Sequence, residues 1–262
     1  MTGADLEREL LAVAHAAARA AAAELTLRFG HRQPGIRAKS SPTDMVSEAD
    51  VAAEAAIRSV LVDRRPGDAM LGEEGGATSG ETGLRWVIDP LDGTTNFLFG
   101  VPQFAVSVAC EDADGAVVGV VLDPIREECF SASRSGSPEC NGALISGSDR
   151  GELASALVAT GFGYEAEVRG RQAEVVGRVL PRVRDIRRAG AAALDLAWCA
   201  CGRYDAYYER GVKPWDVAAG GLIAARAGLV VRQLDADGED PEGLLAAPHG
   251  LVEELVELVL GA

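Results

Sequence analysis

The chain is short of cysteine, of positive charge and of long apolar runs, and each shortage removes a class of function. Its five cysteines, Cys110, Cys129, Cys140, Cys199 and Cys201, are odd in number and contain no CxxC pair. Neither a disulfide framework nor a zinc site is expected from that pattern, which reads as reduced thiols of a cytoplasmic protein. Cys199-Ala-Cys201 lies in an apolar helical run and reads as core. Lys and Arg number 25 against 40 Asp and Glu, a formal net charge of -15. That balance disfavours nucleic acid or an anionic membrane surface as the main partner. The alanine-rich run near the N-terminus is broken by Glu7, His15, Arg19 and Glu24. No signal peptide and no apolar span of about 20 residues is therefore expected, and the protein is expected to be soluble and intracellular. Repeats and low-complexity tails are also missing.

What is present is enough for a sizeable core: 262 residues, 48% of them hydrophobic. Apolar positions Leu6, Leu10, Val13, Ala17, Leu25 and Phe29 recur at helical spacing, predicting a long first helix over residues 4–29 that stops at Gly30. His15 inside it reads as a packing or surface residue. Residues 36–41 read as extended with a turn at Pro42, and residues 50–62 as a second helix opened by the capping box Ser47-Glu48-Ala49-Asp50. A short strand over 69–72 leads into Glu73-Glu74-Gly75-Gly76. Residues 104–109, 116–122 and 128–132 read as strands of an antiparallel sheet joined by Asp-Gly and Asp-Pro turns. Beyond a Gly- and Ser-rich patch at 134–151, strands and helices alternate to the end of the chain, which belongs to α/β layering. That patch is taken as the boundary between an N-terminal lobe, about 1–145, and a C-terminal lobe, about 146–262.

The most informative stretch is WVIDPLDGTTNF, Trp86 to Phe97. Val87 and Ile88 read as a buried strand, Pro90 as the end of its ladder, and Asp89 and Asp92 as two acids on the turn beyond it, able to reach one cation. Gly93 permits close approach of backbone to a ligand, and Thr94, Thr95 and Asn96 read as a helix start with free N–H groups for an anion. An acidic protein that binds phosphate needs intervening cations, because clustered carboxylates repel the ester. Asp-Pro and Asp-Gly are also ordinary turn pairs, so the motif carries weight through its company. Glu73 alone is a loop charge, Asp50 alone a helix cap, and Asp216 alone a carboxylate favouring the positive end of the helix opened by Pro214 and Trp215. A buried tryptophan beside Asp216 argues against a merely solvated acid.

Taken in order, KSSPTDMVSEAD (Lys39 to Asp50), GEEG (Gly72 to Gly75), WVIDPLDGTTNF, Tyr207-Tyr208-Glu209 and PWDVAAGGLIAARAG resemble the inositol monophosphatase family over nearly the whole chain. The resemblance implies a mixed α+β fold, a layered αβαβα sandwich of the inositol monophosphatase and fructose-1,6-bisphosphatase type. It implies that Glu73, Asp89, Asp92, Asp216 and the backbone carbonyl of Leu91 hold two or three Mg²⁺ ions, with Mn²⁺ a possible substitute. All of these are oxygen donors, which suit a hard ion. Thr94, with Asp50 or Glu73, would orient and help deprotonate the attacking water. The substrate would lie on Asp92, Gly93, Thr94, Thr95, Ala192 and Glu209, the last accepting from a polyol hydroxyl. Glu209 alone reads equally as a strand-end surface charge.

Two departures from the family pattern stand out. Ala191 replaces a hydroxyl residue common after Gly190, and the loop between Glu73 and Trp86 is shorter than in animal relatives. The resemblance further implies a homodimer and sensitivity to lithium. Phosphatases for histidinol phosphate, fructose-1,6-bisphosphate and nucleotide phosphates share the same core, and Asn96-Phe97 with Glu209 favours the inositol branch. A regulatory protein-binding module on the same fold is the reading from another class.

Overall fold

The computed structural model describes residues 2–31, 37–38 and 45–261. The extended segment and the Pro42 turn expected at 36–42 lie outside the described residues except for Arg37–Ala38. Helix α1 (Gly3–Arg28) is opened by a reciprocal cap in which the Asp5 amide donates to Thr2 Oγ1 and the Thr2 amide donates to Asp5 Oδ2, both at 3.2 Å. The short antiparallel pair β1 (Arg37–Ala38) and β2 (Met45–Val46) follows. Helix α2 (Glu48–Arg64) then starts at Ser47, whose amide donates to Asp50 Oδ2 at 2.8 Å, as the capping signal predicts.

Against expectation, α1 is by length and composition apolar enough to cross a membrane, with a mean hydropathy of 1.3 over an 18-residue window. The charged interruptions are too few to offset its alanines and leucines. One side of this helix is committed elsewhere: Leu10, Ala14, Ala17, Ala18, Ala21 and Leu25 are fully buried in the first core.

Strands β3 (Ala69–Gly72), β4 (Gly76–Thr78), β5 (Arg85–Asp92), β6 (Ala105–Asp112), β7 (Gly115–Asp123), β8 (Glu128–Ser133), β9 (Glu139–Cys140) and β10 (Ala143–Leu144) form one sheet. Its order is β10-β9-β8-β7-β6-β5-β3-β4, and every pairing is antiparallel except β3 with β5. The one-turn helix α3 (Thr94–Leu98) joins β5 to β6. Phe97 from that turn packs on Phe29 and Phe104 with ring centres 5.5 and 5.0 Å away, which anchors it to the end of α1.

The second sheet, β12-β11-β13-β15-β14, contains β11 (Leu157–Thr160), β12 (Asp185–Arg187), β13 (Ala206–Arg210), β14 (Val230–Leu234) and β15 (Gly243–Ala247). Helices α4 (Ala166–Val179), α5 (Ala192–Ala200), α6 (Pro214–Arg226) and α7 (Val252–Leu260) alternate with these strands, as the sequence pattern expects. Two strands expected from sequence as one Gly- and Ser-rich connection, β9 and β10, are too short to carry a period of their own.

Side-chain alternation sorts the layers. Trp86, Ile88, Val106, Val108, Val118 and Val120 face α1 and α2, whereas Val87, Ala105, Ala109 and Val121 face α5 and α6. Helices α5 and α6 also cover one face of the second sheet, and α4 and α7 cover the other around Val158, Tyr208, Leu245 and Leu255. The result is the αβαβα order. The middle helix layer sits close because its contacts are small. A Cβ on Gly119 would lie 2.9 Å from both Cα and O of Ala219, and one on Gly220 would lie 2.8 Å from Leu196 Cβ. Small residues at Ala219 and Gly220 of α6 are thus a packing requirement, and they fix where the N-terminus of α6 emerges over the first sheet.

Gly119→Ala is expected to lower the unfolding free energy by about 1–3 kcal/mol, since backbone has to yield. Gly151→Ala, which meets nothing within 4 Å, is expected to change it by less than about 0.5 kcal/mol. Urea denaturation checks both, and equal effects would contradict the close α6 contact.

Candidate active site

The two acids of the central motif stand three apart, a spacing that in a regular strand sends side chains to opposite faces. Here β5 runs through Pro90 to Asp92 and contains a bulge. Asp89 pairs with Ser107 and Asp92 with Ala105, three steps along β5 against two along β6. Trp86, Ile88 and then Leu91 point into the first core, so Asp89 and Asp92 both point to the α5 and α6 side. Pro90, which has no N–H to donate, occupies the irregularity rather than ending the ladder, and the acids lie within the strand instead of on a turn beyond it.

Glu73 arrives beside them because β3 runs parallel to β5 with Gly72 opposite Ile88, and the Glu73 amide donates to the Ile88 carbonyl at 3.3 Å. The turn carrying Glu73 is held from below by a residue that sequence reasoning passed over. Glu54, buried on α2, accepts from the amides of Glu74 (2.7 Å) and Gly75 (2.8 Å) and from Arg58 Nε (2.6 Å). A Cβ on Gly72 or Gly75 would come within 2.6 Å of Glu54 Oε1, so a side chain at either would displace that carboxylate from its donors. The available signal was its position four residues after Asp50 on the same helix face, with Arg58 four further on.

Asp92 closes the site from the other side. Its Oδ1 accepts from the Ala192 amide at 2.9 Å, and its Oδ2 from the amides of Ala193 (2.8 Å) and Leu194 (3.3 Å). The carboxylate thus caps α5 from a hundred residues away. This answers the departure at Ala191, which stands at the N-cap with no side-chain oxygen to offer. Asp216, in the first turn of α6, accepts from the Lys213 amide at 2.6 Å, and Asp89 accepts from the Leu91 amide at 3.0 Å. Trp215 beside it is half-buried, not fully buried as the sequence suggested.

Thr94 sits at the junction of the capping box and the motif. Its hydroxyl lies 2.9 Å from Asp50 Oδ1 and 3.1 Å from the Leu91 carbonyl, with one proton to donate between them. Asp50 is wholly buried, caps α2 through Oδ2 and meets Thr94 through Oδ1, so its helix-capping role and its place beside the site coexist. The Thr94–Asn96 hydroxyl and amide groups do not cap α3, whose N-cap is Gly93 in the left-handed region at φ 95°. A Cβ there would lie 2.9 Å from the Gln103 carbonyl, so only glycine fits. Asn96 instead ties the motif to the loop before α5, donating to the carbonyls of Gln103 (2.7 Å) and Ala189 (2.9 Å).

These elements surround one cavity of about 660 Å³, whose walls include Glu73, Asp89, Leu91, Asp92, Gly93, Thr94, Ala192, Glu209 and Asp216. Glu209 ends β13, accepts from Tyr207 Oη at 2.9 Å and lies against Gly161, where a Cβ would come within 2.0 Å of Glu209 Oε2. Of the residues expected from sequence, two do not line the cavity: Asp50, wholly buried behind Thr94, and Thr95. Thr95 is exposed and lines an adjoining recess, because the turn of α3 carries its side chain away from its neighbour's.

Electrostatics describe what the cavity can accept. Burial raises the Asp89 carboxyl well above the usual range, and the fields of Glu73, Asp92 and Asp216 raise it further. Burial pushes Asp92 up to about 7 against the opposing pull of its three amide donors, and burial likewise raises Asp216 and Glu209. Among the described residues no three such side chains already enclose a point where an ion would sit. The donor set nonetheless suits a hard dication: carboxylate oxygens crowded in one cavity with the Leu91 carbonyl beside them, those of Asp89, Asp92 and Asp216 held by backbone amides.

Comparison with known proteins shows what the whole chain resembles. The sequence pattern of the inositol monophosphatase family matches residues 6–259. A Mycobacterium tuberculosis protein named inositol-1-monophosphatase SuhB is 42% identical over 239 residues, covering 87% of this chain and 82% of its own. A Pseudomonas aeruginosa protein named Nus factor SuhB is 46% identical over 198 residues, covering 72% of each. The solved inositol monophosphatase of Anabaena superposes with a TM-score of 0.84 at 32% identity, covering 97% of this chain and 96% of that one.

Glu54→Gln leaves one carbonyl oxygen to serve donors from Glu74, Gly75 and Arg58, and its NH₂ group must face one of them. A loss of about 2 kcal/mol of stability is expected, with faster amide exchange at 74 and 75. Hydrogen exchange read residue by residue checks it, and unchanged protection at those two amides would remove Glu54 from this role.

Proposed function

The chain belongs to the inositol monophosphatase family, and on that premise we propose that it is a Mg²⁺-dependent phosphomonoesterase that hydrolyses inositol monophosphate. The observation that carries the reading is the bulge in β5, which turns Asp89 and Asp92 to one face beside Glu73 and Asp216. In this proposal Glu73, Asp89, Asp92, Asp216 and the Leu91 carbonyl hold the metal. Bound dications would supply charge neutralisation for the ester and a water of lowered pKa.

The chain's own residues then divide the remaining work. Thr94, whose hydroxyl donates to Asp50 Oδ1 at 2.9 Å, turns its lone pairs outward and can take a proton from the attacking water as its own passes to the Asp50 carboxylate. Gly93, free of a side chain, lets the phosphate approach the backbone. Asp92 is prevented from swinging by its three amide bonds, which keeps its orientation fixed between the phosphate end and Ala192. Glu209, oriented by the Tyr207 hydroxyl, accepts from a ring hydroxyl of the polyol at the far end of the cavity. Lithium sensitivity, a homodimeric assembly and a cytoplasmic place belong to the same proposal and rest on the family resemblance.

The relatives named Nus factor support a second reading, in which the fold serves as a regulatory binding module. Phosphate release separates the two. With Mg²⁺, inositol-1-phosphate is expected to be turned over, chelation to abolish turnover, and Thr94→Ala to slow it by about 10²–10⁴-fold. Millimolar lithium is expected to inhibit, and an unchanged rate would count against the lithium expectation. No turnover of inositol-1-phosphate, histidinol phosphate, fructose-1,6-bisphosphate or phosphoadenosine phosphate by the unmutated protein would favour the module.

A further inference from the structure

The walls of the carboxylate cavity also include Val168 of α4 and, from the loop that joins β14 to β15, Ala236, Gly238, Asp240 and Pro241. This loop re-enters the sheet beside Glu209, since Gly243 pairs with Arg210 and a Cβ on it would come within 2.2 Å of the Glu209 carbonyl oxygen. Two arginines fix it, one at the neck and one at the tip. Arg210 follows Glu209 on β13, so its side chain leaves on the opposite face of the sheet, where it is buried and its Nη1 donates to the carbonyls of Asp235 (2.9 Å) and Pro241 (2.7 Å). Arg171 of α4 holds the tip: Nε donates to Asp240 Oδ1 at 2.9 Å, Nη2 to the Glu239 carbonyl at 2.7 Å, and Nη1 to Glu239 Oε2 at 3.1 Å.

Gln172, the next residue of α4, completes the arrangement. It is buried, its Oε1 accepts from the Gly163 amide at 2.8 Å, and its Nε2 donates to the Arg210 carbonyl at 3.1 Å. Gly163 follows Phe162, on whose ring Arg188 rests with its guanidinium carbon 5.6 Å from the centre. Two adjacent residues of α4 therefore grip three segments of the cavity wall, at Gly163, at Arg210 and at the loop tip. The carboxylates assigned to the metal come from other elements: β5, the turn after β3 and the first turn of α6. Chemistry and recognition of the rest of the substrate are thus carried by separate parts of the fold.

We propose that the loop between β14 and β15 is the wall that selects the polyol, with Arg171 as the positioning residue that sets it. Asp240 is the group the loop presents. A carboxylate held through one oxygen keeps the other for a hydroxyl, and Asp240 lines the same cavity as Glu209. The cleft then favours phosphate esters of ring-sized polyols, whose hydroxyls reach both acids, over short esters that end before them. The inference rests on the phosphatase reading above and narrows its substrate class.

Inositol-1-phosphate and glycerol-2-phosphate share the phosphate ester and differ in how far the polyol extends. Arg171 and its two acidic partners are part-exposed or exposed, so Arg171→Gln is expected to leave the protein folded. With Mg²⁺ it is expected to raise KM for inositol-1-phosphate about tenfold at unchanged kcat, with kcat/KM for glycerol-2-phosphate staying within about twofold of the parent. Asp240→Asn should raise the same KM, and the double substitution should raise it no further. A KM for inositol-1-phosphate within about twofold of the parent in Arg171→Gln, equal losses on both esters, or additive losses in the double substitution overturns the proposal.

Amide hydrogen exchange gives a readout free of turnover. Inositol with inorganic phosphate and Mg²⁺, the products of the proposed reaction, should slow exchange at residues 236–240 of the parent, and Arg171→Gln should remove most of that slowing. If the Arg171-dependent slowing is seen with no turnover of any phosphate ester, the phosphatase reading falls and the polyol wall stands. If inositol-1-phosphate is hydrolysed while neither its KM nor the exchange responds to Arg171→Gln, the wall alone falls.

Discussion

Everything at this site depends on how the like charges of Asp89, Asp92 and Asp216 are held together by dipoles rather than by countercharges. Elsewhere in the protein, acids are steadied by arginines, as Asp68 is by Arg65 and Asp123 by Arg126. In the cavity the steadying groups are backbone amides: Leu91 for Asp89, Ala192 to Leu194 for Asp92, and Lys213 for Asp216. An amide carries a dipole but no net charge, so it orients a carboxylate while leaving the charge available to a cation. The cost is visible in the raised carboxyls of Asp89, Asp92 and Asp216, whose burial and mutual repulsion favour the protonated form. A bound dication relieves both terms, which makes metal affinity and site assembly the same electrostatic problem.

The layers exist, from the site's point of view, to bring amides to those acids. Helix α5 meets Asp92 end-on because α6 lets it approach through Gly220, and α6 in turn lies on Gly119 of the first sheet. Small residues at these contacts set the distance between a strand that carries two acids and two helix starts that hold or carry the others. On the opposite side, Glu54 reaches from α2 under the Glu73 turn, so the first helix layer also bears on the cavity without lining it. The basic recess around Arg188 adjoins this arrangement and carries its own sign, so the cleft has an acidic part and a basic part.

Much of this could be read from the chain alone. The helices at both ends, the antiparallel strands of the first half and the alternation of the second follow from hydrophobic period and turn residues, which are local properties. The Ser47-to-Asp50 cap was legible for the same reason, its partners being three residues apart. The motif residues were legible because their types are chemically unusual together. Less accessible were the features that need a partner distant in sequence. Pro90 looked like a stop because proline lacks a donor, yet the partner strand accommodates it with a bulge. Glu54 drew no reading from the sequence, and only the Glu73 turn packed against it reveals its purpose. The helix α1 passed for an interrupted segment although its composition would suit a bilayer, and its buried face is known only from what lies against it.

Sequence by itself determined which oxygen donors this protein possesses, the helices and strands that carry them, and hence the family to which it belongs. Tertiary structure decided that Asp89 and Asp92 share a face, that the helix after Ala191 is capped by a residue a hundred positions earlier, and that Arg188 rests on Phe162 beside the same turn. The physical reason is range. Period, capping and turn preference act over a few bonds and leave their marks in order along the chain, whereas register, helix approach and the field inside a cavity are set by atoms that meet only after the chain has closed on itself.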